Sequence, residues 1–484
     1  EALGDERGTS ATLHQMANVL VTRGDLDGAM RLYQQSLQLQ EALGDVRGQS
    51  AALHAIADVL ARRGDLDGAM RLYEQELIIT KEVLGHRHPQ TQQILSRLGL
   101  LLSEQGEFVT ARQYLEQSLE ICEQVFGANH PATAESLKNL GHVLSAQCNY
   151  TEARSYYERA LAIFERSYGP THIETIAALR DAAGASLMEE NYADARPLYQ
   201  RLLSASEQMG DAALSATALI GLAKTHLYLR DHDQAIDAAQ RALAIRESLD
   251  ETASPSIGEI VEVLGLARQD KGDFATALPL LEQAFNRVQR SLPEDSVEAI
   301  QTLNNFAMIR WEMQDVQSRE QLVLLTERLS AKIRHYEPDN DDIPTIVESI
   351  TAELGAVVTS ASEQNKGAML NRITERFDAL SVQIERSPRI RRLLGSILRR
   401  WRTVVSRVAG RVGRLPMLTF IPSPYIFTVP VQGRQLVGRD DIFRRIETIW
   451  SRPGQRNSIL IHGHRRMGKT SIAQALQSRC NFGD

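Results

Sequence analysis

At 484 residues, with 5% aromatics and an abundance of Ala, Leu, Gln, Glu and Arg, the chain is too long for one ordinary domain and favours helices over sheets. A net charge of −7 gives no ground for a nucleic-acid or membrane partner, and no run is long and apolar enough to span a bilayer, since the most apolar stretch, 415–431, is broken by Pro416, Pro422, Pro424 and Pro430. The cysteines Cys122, Cys148 and Cys480 have no metal-ligand spacing and suit a reducing compartment, so a cytoplasmic setting is expected.

The chain opens inside a periodic pattern. The segment 1–10 is nearly repeated at 41–50, so further residues of the parent are expected upstream, and a leader on the parent stays open. The segment 24–33 recurs unchanged at 64–73, and its turn can be followed through Gly24, Gly64, Gly106, Cys148, Glu190, Arg230, Gly272 and Gln314, in steps of 40 or 42 residues. Five residues after each of the first seven comes a small one: Ala29, Ala69, Ala111, Ala153, Ala195, Ala235 and Ala277. The eighth repeat carries Arg319 there, which marks it as degenerate or as a cap.

The fourth repeat shows the logic. Leu137, Leu140, Gly141 and Leu144 share one face of a first helix, while Ala153, Tyr157, Ala160 and Phe164 share one face of a second. Gly141 and Ala153 allow close approach, and Gly169 with Pro170 stops the second helix. This order of Leu, Leu, Gly, Tyr, Ala and Phe resembles the tetratricopeptide repeat. The repeats are longer than that family's common ~34 residues. Linkers such as Leu84-Gly85-His-Arg-His88-Pro89 are similar to those of the long, kinesin-light-chain-like type. The resemblance covers residues 1–330 and implies a mainly α fold, a tetratricopeptide-type solenoid of about eight helix pairs.

By that resemblance the inner groove, lined by first helices, holds a protein or peptide partner, and His14, His54, Lys138, His142, Arg180, Lys224 and Asn304 are its candidate contacts, with solvated polar positions as the other reading. His88, His130 and His172 also recur with the period. Stacked repeats set them roughly 10 Å apart, whereas ligands of one metal each sit about 2 Å from it, so turn or cap roles are expected.

Residues 331–420 read as a helical linker, with an acidic loop at 337–342 and helices at 343–356 and 368–384. From 386 to 439 there are twelve arginines and no acid, which leaves −7 − 12 = −19 on the rest. Within this stretch 389–414 forms a basic amphipathic helix with a stripe of Leu393, Ile397, Trp401, Val405, Val408 and Val412. It can lie on an anionic membrane, bind phosphates, or pack between domains with its arginines facing the acidic solenoid, and the last is the expectation.

The final stretch, 421–484, carries the chemistry. Gly463-His-Arg-Arg-Met-Gly468-Lys469-Thr470 fits G-x-x-x-x-G-K-[ST], after an apolar Ile459, Leu460 and Ile461 and before Ile472, Ala473 and Leu476 of an amphipathic helix. Backbone N–H groups at Arg466, Met467, Gly468 and Ser471 would cradle phosphate, Lys469 would reach the β- and γ-phosphates, and Thr470 would hold Mg²⁺ with the nucleotide. Upstream, Val437-Gly438-Arg439-Asp440 resembles the segment bordering the adenine pocket in STAND and related AAA-type ATPases, which carries that role to Val437, Gly438 and Arg439. The resemblance implies the truncated start of an α/β P-loop NTPase, with ATP and Mg²⁺ as cofactors of the parent and their binding weak or absent in this chain. A Walker B carboxylate does not follow within the fourteen residues after Thr470, so this chain is not expected to hydrolyse ATP. The expected function is the protein-binding sensor of a signal-transduction ATP-binding protein, with a plain scaffold carrying an inert P-loop as the alternative.

Overall fold

The computed structural model describes residues 2–249 and 255–411. Residues 1–417 form one compact unit. The second unit, 418–484, lies outside the described residues, and with it the whole phosphate-loop assignment (Gly463, Arg466, Met467, Gly468, Lys469, Thr470 and Ser471), the Val437, Gly438 and Arg439 segment, and the expected α/β start.

Among the described residues the fold is nineteen α-helices with no strand. The first sixteen are eight antiparallel pairs: α1 (Ala2–Thr22) with α2 (Leu26–Ala42), α3 (Val46–Arg62) with α4 (Leu66–Val83), α5 (Pro89–Glu104) with α6 (Phe108–Val125), α7 (Pro131–Ala146) with α8 (Tyr150–Tyr168), α9 (Ile173–Met188) with α10 (Tyr192–Met209), α11 (Ala212–Tyr228) with α12 (His232–Ser248), α13 (Pro255–Asp270) with α14 (Phe274–Ser291), and α15 (Val297–Glu312) with α16 (Ser318–Tyr336). Three more follow: α17 (Asp342–Thr359), α18 (Glu363–Ile384) and α19 (Pro388–Arg411). None of the described helices is long and apolar enough to cross a membrane.

Each pair turns the same way for the same reason. In the first, Asp25 N–H donates to Leu20 O at 3.0 Å across Gly24, whose φ of +82° suits a residue without a Cβ. Asp25 then caps α2, its carboxylate accepting from Gly28 N–H at 2.8 Å. Asp65, Asn149, Asn191 and Asp273 cap the second helices of other repeats in the same way. Between repeats, His88, His130 and His172 are N-caps: each Nδ1 accepts the N–H two residues on, at 3.1, 3.1 and 3.3 Å.

The seven alanines are all 0% exposed, so the crossings admit nothing larger. A Cβ on Gly141 would stand 2.5 Å from the Tyr157 ring, and one on Gly99 2.6 Å from Leu115, so first and second helices touch through these glycines. In the eighth repeat the small role shifts by one position to Ser318, which is fully buried, and the pair α15/α16 still forms beside Arg319.

One apolar core runs from Ala134 to Ala267 through repeats four to seven. Another, from Ile300 to Ala409, joins the eighth repeat to α17–α19. The linker helices are thus a continuation of the array that covers its last pair.

Candidate functional site

The repeat register sets out two rows of side chains on the first helices. Ten residues before the turn stand His14, His54, Lys138, Arg180 and Asn304; six before it stand His142 and Lys224. Neighbouring repeats bring these rows together, and the structure pairs most of their charges.

His54 sits edge-on to Tyr73, and its Nδ1 is 3.0 Å from Glu76 Oε2, a carboxylate with a 0% exposed side chain. Burial pulls the imidazole down, but the Glu76 hydrogen bond and charge, with Asp58, outweigh it and raise its pKa. His14 stacks edge-on to Tyr33, and burial alone lowers it. Lys138 bridges Glu135 at 2.8 Å and Glu174 at 2.9 Å; burial disfavours its charge, and the two carboxylates more than compensate. His142 Nε2 lies 3.0 Å from Asp181 Oδ2, and Arg180 donates to Asp181 Oδ1 at 3.2 Å. Lys224 donates to Glu259 at 2.6 Å. Lys138, His142 and Lys224 thus pair with carboxylates of the next repeat, His54 with Glu76 of its own repeat and Arg180 with its neighbour Asp181; among these candidates His142 and Arg180 are the most open, at 45% and 52% exposed side chains.

Asn304 belongs to a different setting. It is buried beneath α19, and its Oδ1 accepts from Trp401 Nε1 at 2.6 Å. The stripe of Leu393, Ile397, Trp401, Val405 and Val408 is buried against α15–α18, so no apolar face of α19 is left for a bilayer. Val412 lies outside the described residues.

Five arginines of α19 face repeats four to eight, while Arg402 binds Asp378 of α18 and Arg391 pairs with Glu385. Arg392 meets the Cys148 thiol, and Arg399 pairs with Glu190 and lies over the Tyr228 ring. Arg400 donates to Asp270 at 2.7 Å and to Gln269. Arg407 joins Asp270 at 2.6 Å to Glu312 at 2.7 and 2.8 Å, and Arg411 lies 3.3 Å from Glu312 and over Phe274. Burial raises the Asp270 carboxyl, but Arg400 and Arg407 outweigh it and hold it at about 2.

Sequence reasoning did not single out Cys148, Glu190, Tyr228, Asp270 and Glu312 as contacts. The signal was the register: Cys148 and Glu190 occupy the turn position itself, and Tyr228, Asp270 and Glu312 stand two residues before it in successive repeats. No group of three or more His, Cys, Asp or Glu suited to a metal occurs among the described residues.

Helix pairs stacked with a polar, paired inner face define a protein-interaction scaffold of the α-solenoid class. Residues 9–46 and 48–248 are tetratricopeptide repeats, each stretch matching a family profile of that description. No curated protein matches the chain. Among solved structures, BtubC from P. vanneervenii is 20% identical, with 52% of this chain and 93% of that one covered at a TM-score of 0.39. A kinesin light chain from Podospora anserina, described by its nearly identical TPR-like repeats, is 21% identical, with 41% and 95% covered at 0.38. The STAND protein with a tetratricopeptide-repeat sensor from Pyrococcus horikoshii is 17% identical at 0.49, with 72% of this chain covered, and the chain spans half of that protein's length.

Proposed function

We propose that the chain is the protein-binding, sensory portion of a STAND-type signal-transduction protein in a cytoplasmic setting: the solenoid takes a protein or peptide partner, and the phosphate loop takes ATP with Mg²⁺ in the intact parent. The observation that carries the nucleotide half is the sequence Gly463-His-Arg-Arg-Met-Gly468-Lys469-Thr470, set between an apolar run and an amphipathic one. Arg466, Met467, Gly468 and Ser471 supply backbone donors, Lys469 the charge on the phosphates, Thr470 the hydroxyl for Mg²⁺, and Val437, Gly438 and Arg439 the flank of the base. For the partner half, His14, His54, Lys138, His142, Arg180 and Lys224 form a polar ladder whose ion pairs a peptide carboxylate or guanidinium can exchange into.

The test is nucleotide binding by a form extended through the full nucleotide domain, beside this chain, each with and without Lys469→Ala, together with the triple change Lys138→Glu, His142→Glu and Arg180→Glu in partner capture. The expected result is Mg²⁺-dependent ATP binding by the extended form that Lys469→Ala abolishes, weak or no binding by this chain, and capture that the triple change weakens with helicity intact. An extended form that binds no ATP leaves a plain scaffold; capture unaffected by the triple change removes the groove assignment.

A further inference from the structure

We infer that the arginine row of α19 is a brace that holds repeats four to eight at one spacing, so that breaking its ion pairs lets the array extend while every helix persists. The helix has two unlike faces. Its apolar face is part of the core that starts at Ile300, so α19 is fixed to the eighth repeat and to α18. The core of repeats four to seven contains no residue of α19. What reaches those repeats is Arg392, Arg399, Arg400, Arg407 and Arg411, through a thiol, carboxylates and two ring faces. Apolar contact holds one end, and polar contact spans the rest.

Contacts of this kind separate while exposing little apolar surface, namely the ring faces of Tyr228 and Phe274. The Glu312 side chain is 0% exposed and that of Asp270 15%, so removing one arginine strands a buried carboxylate, whereas parting the two surfaces lets both sides hydrate. Interfaces that open and close share this property, and permanent cores do not. The turns beneath α19 support the assignment independently. Glycine holds the left-handed turn position in repeats one, two, three and seven, but Cys148, Glu190, Arg230 and Gln314 adopt φ of +62°, +67°, +66° and +60° there. A side chain in that conformation is strained relative to glycine, and two of these four residues, Cys148 and Glu190, meet Arg392 and Arg399. The curvature of a solenoid is the sum of small rotations between repeats, each contacting only its neighbours. A rigid helix tied to several successive repeats removes that freedom.

The test is a charge swap read as a distance. Spin labels go on Ser155→Cys in α8 and Ala379→Cys in α18, both exposed positions, in the full chain with Cys148→Ser and Cys480→Ser; Cys122 is buried. Glu190→Arg and Arg399→Glu are each expected to shift the distance distribution to longer, broader values with unchanged helicity, and the double variant to return it to that of the unswapped chain. Arginine fits the turn, since Arg230 holds φ of +66° at the equivalent position. Arg399→Gln, which adds no repulsion, is expected to give the same direction of shift and serves if a charged single variant fails to fold. An unmoved distribution in the variants that fold overturns the brace, as does a double variant that stays as open as the singles.

Discussion

At the scale of single residues, glycine positions separate contact from mere propensity. A Cβ on Gly221 would lie 2.1 Å from the buried Tyr199 ring, whereas one on Gly184 meets nothing within 4 Å. Gly221→Ala is therefore expected to destabilise the array by about 1–3 kcal/mol through overpacking. Gly184→Ala, which relieves the chain's freedom inside α9, is expected to stabilise by about 0.5–1 kcal/mol. Urea unfolding of both variants checks the pair of signs. His54 gives a pH test. Its folded pKa is raised above 6.5, so its contribution is fully present below 6.5 and is lost as pH rises through the raised value. Thermal stability is expected to fall across that interval in the wild type, and His54→Gln to flatten this part of the profile.

At the scale of helices, the repeated elements were legible because their determinants are local. A turn residue, a cap one position later and an alanine five positions later recur at fixed spacing, and each acts within one helix pair; Ala153, at 0% exposure, is buried where its register says. The expected helices at 343–356 and 368–384 lie within α17 and α18 for the same reason, since apolar periodicity is a short-range signal. The placement of α19 was not legible to that degree. Its periodicity shows an amphipathic basic helix, but which surface it meets depends on residues such as Asn304, Asp270 and Glu312, 95 to 137 positions earlier. Cys148 and Glu190 read as lapses from the turn glycine until the helix above them is in place. Trp401 is the helix's apolar anchor, fully buried and bonded to Asn304. Trp401→Ala is expected to cost about 3–5 kcal/mol from the lost ring, with Asn304 left unpaired. Amide exchange should quicken across α15–α19 and stay unchanged in α1–α6; protection lost evenly along the chain would contradict the separate cores.

At the scale of the whole molecule, the contacts of α19 set an order of assembly. Helix pairs fold from neighbours close in sequence, so the array can build from its first repeat as it is synthesised. The bonds Arg407–Asp270 and Trp401–Asn304 close loops of 137 and 97 residues and exist only once the chain has been made past residue 407. Until then Asp270 and Glu312 are hydrated acids on an open surface, and the side chains of Cys148 and Glu190 have no arginine opposite them. A nascent chain halted before α19 should therefore carry well-formed early repeats and an acidic, unoccupied flank, and α19, which emerges after every repeat, is the helix that completes the array.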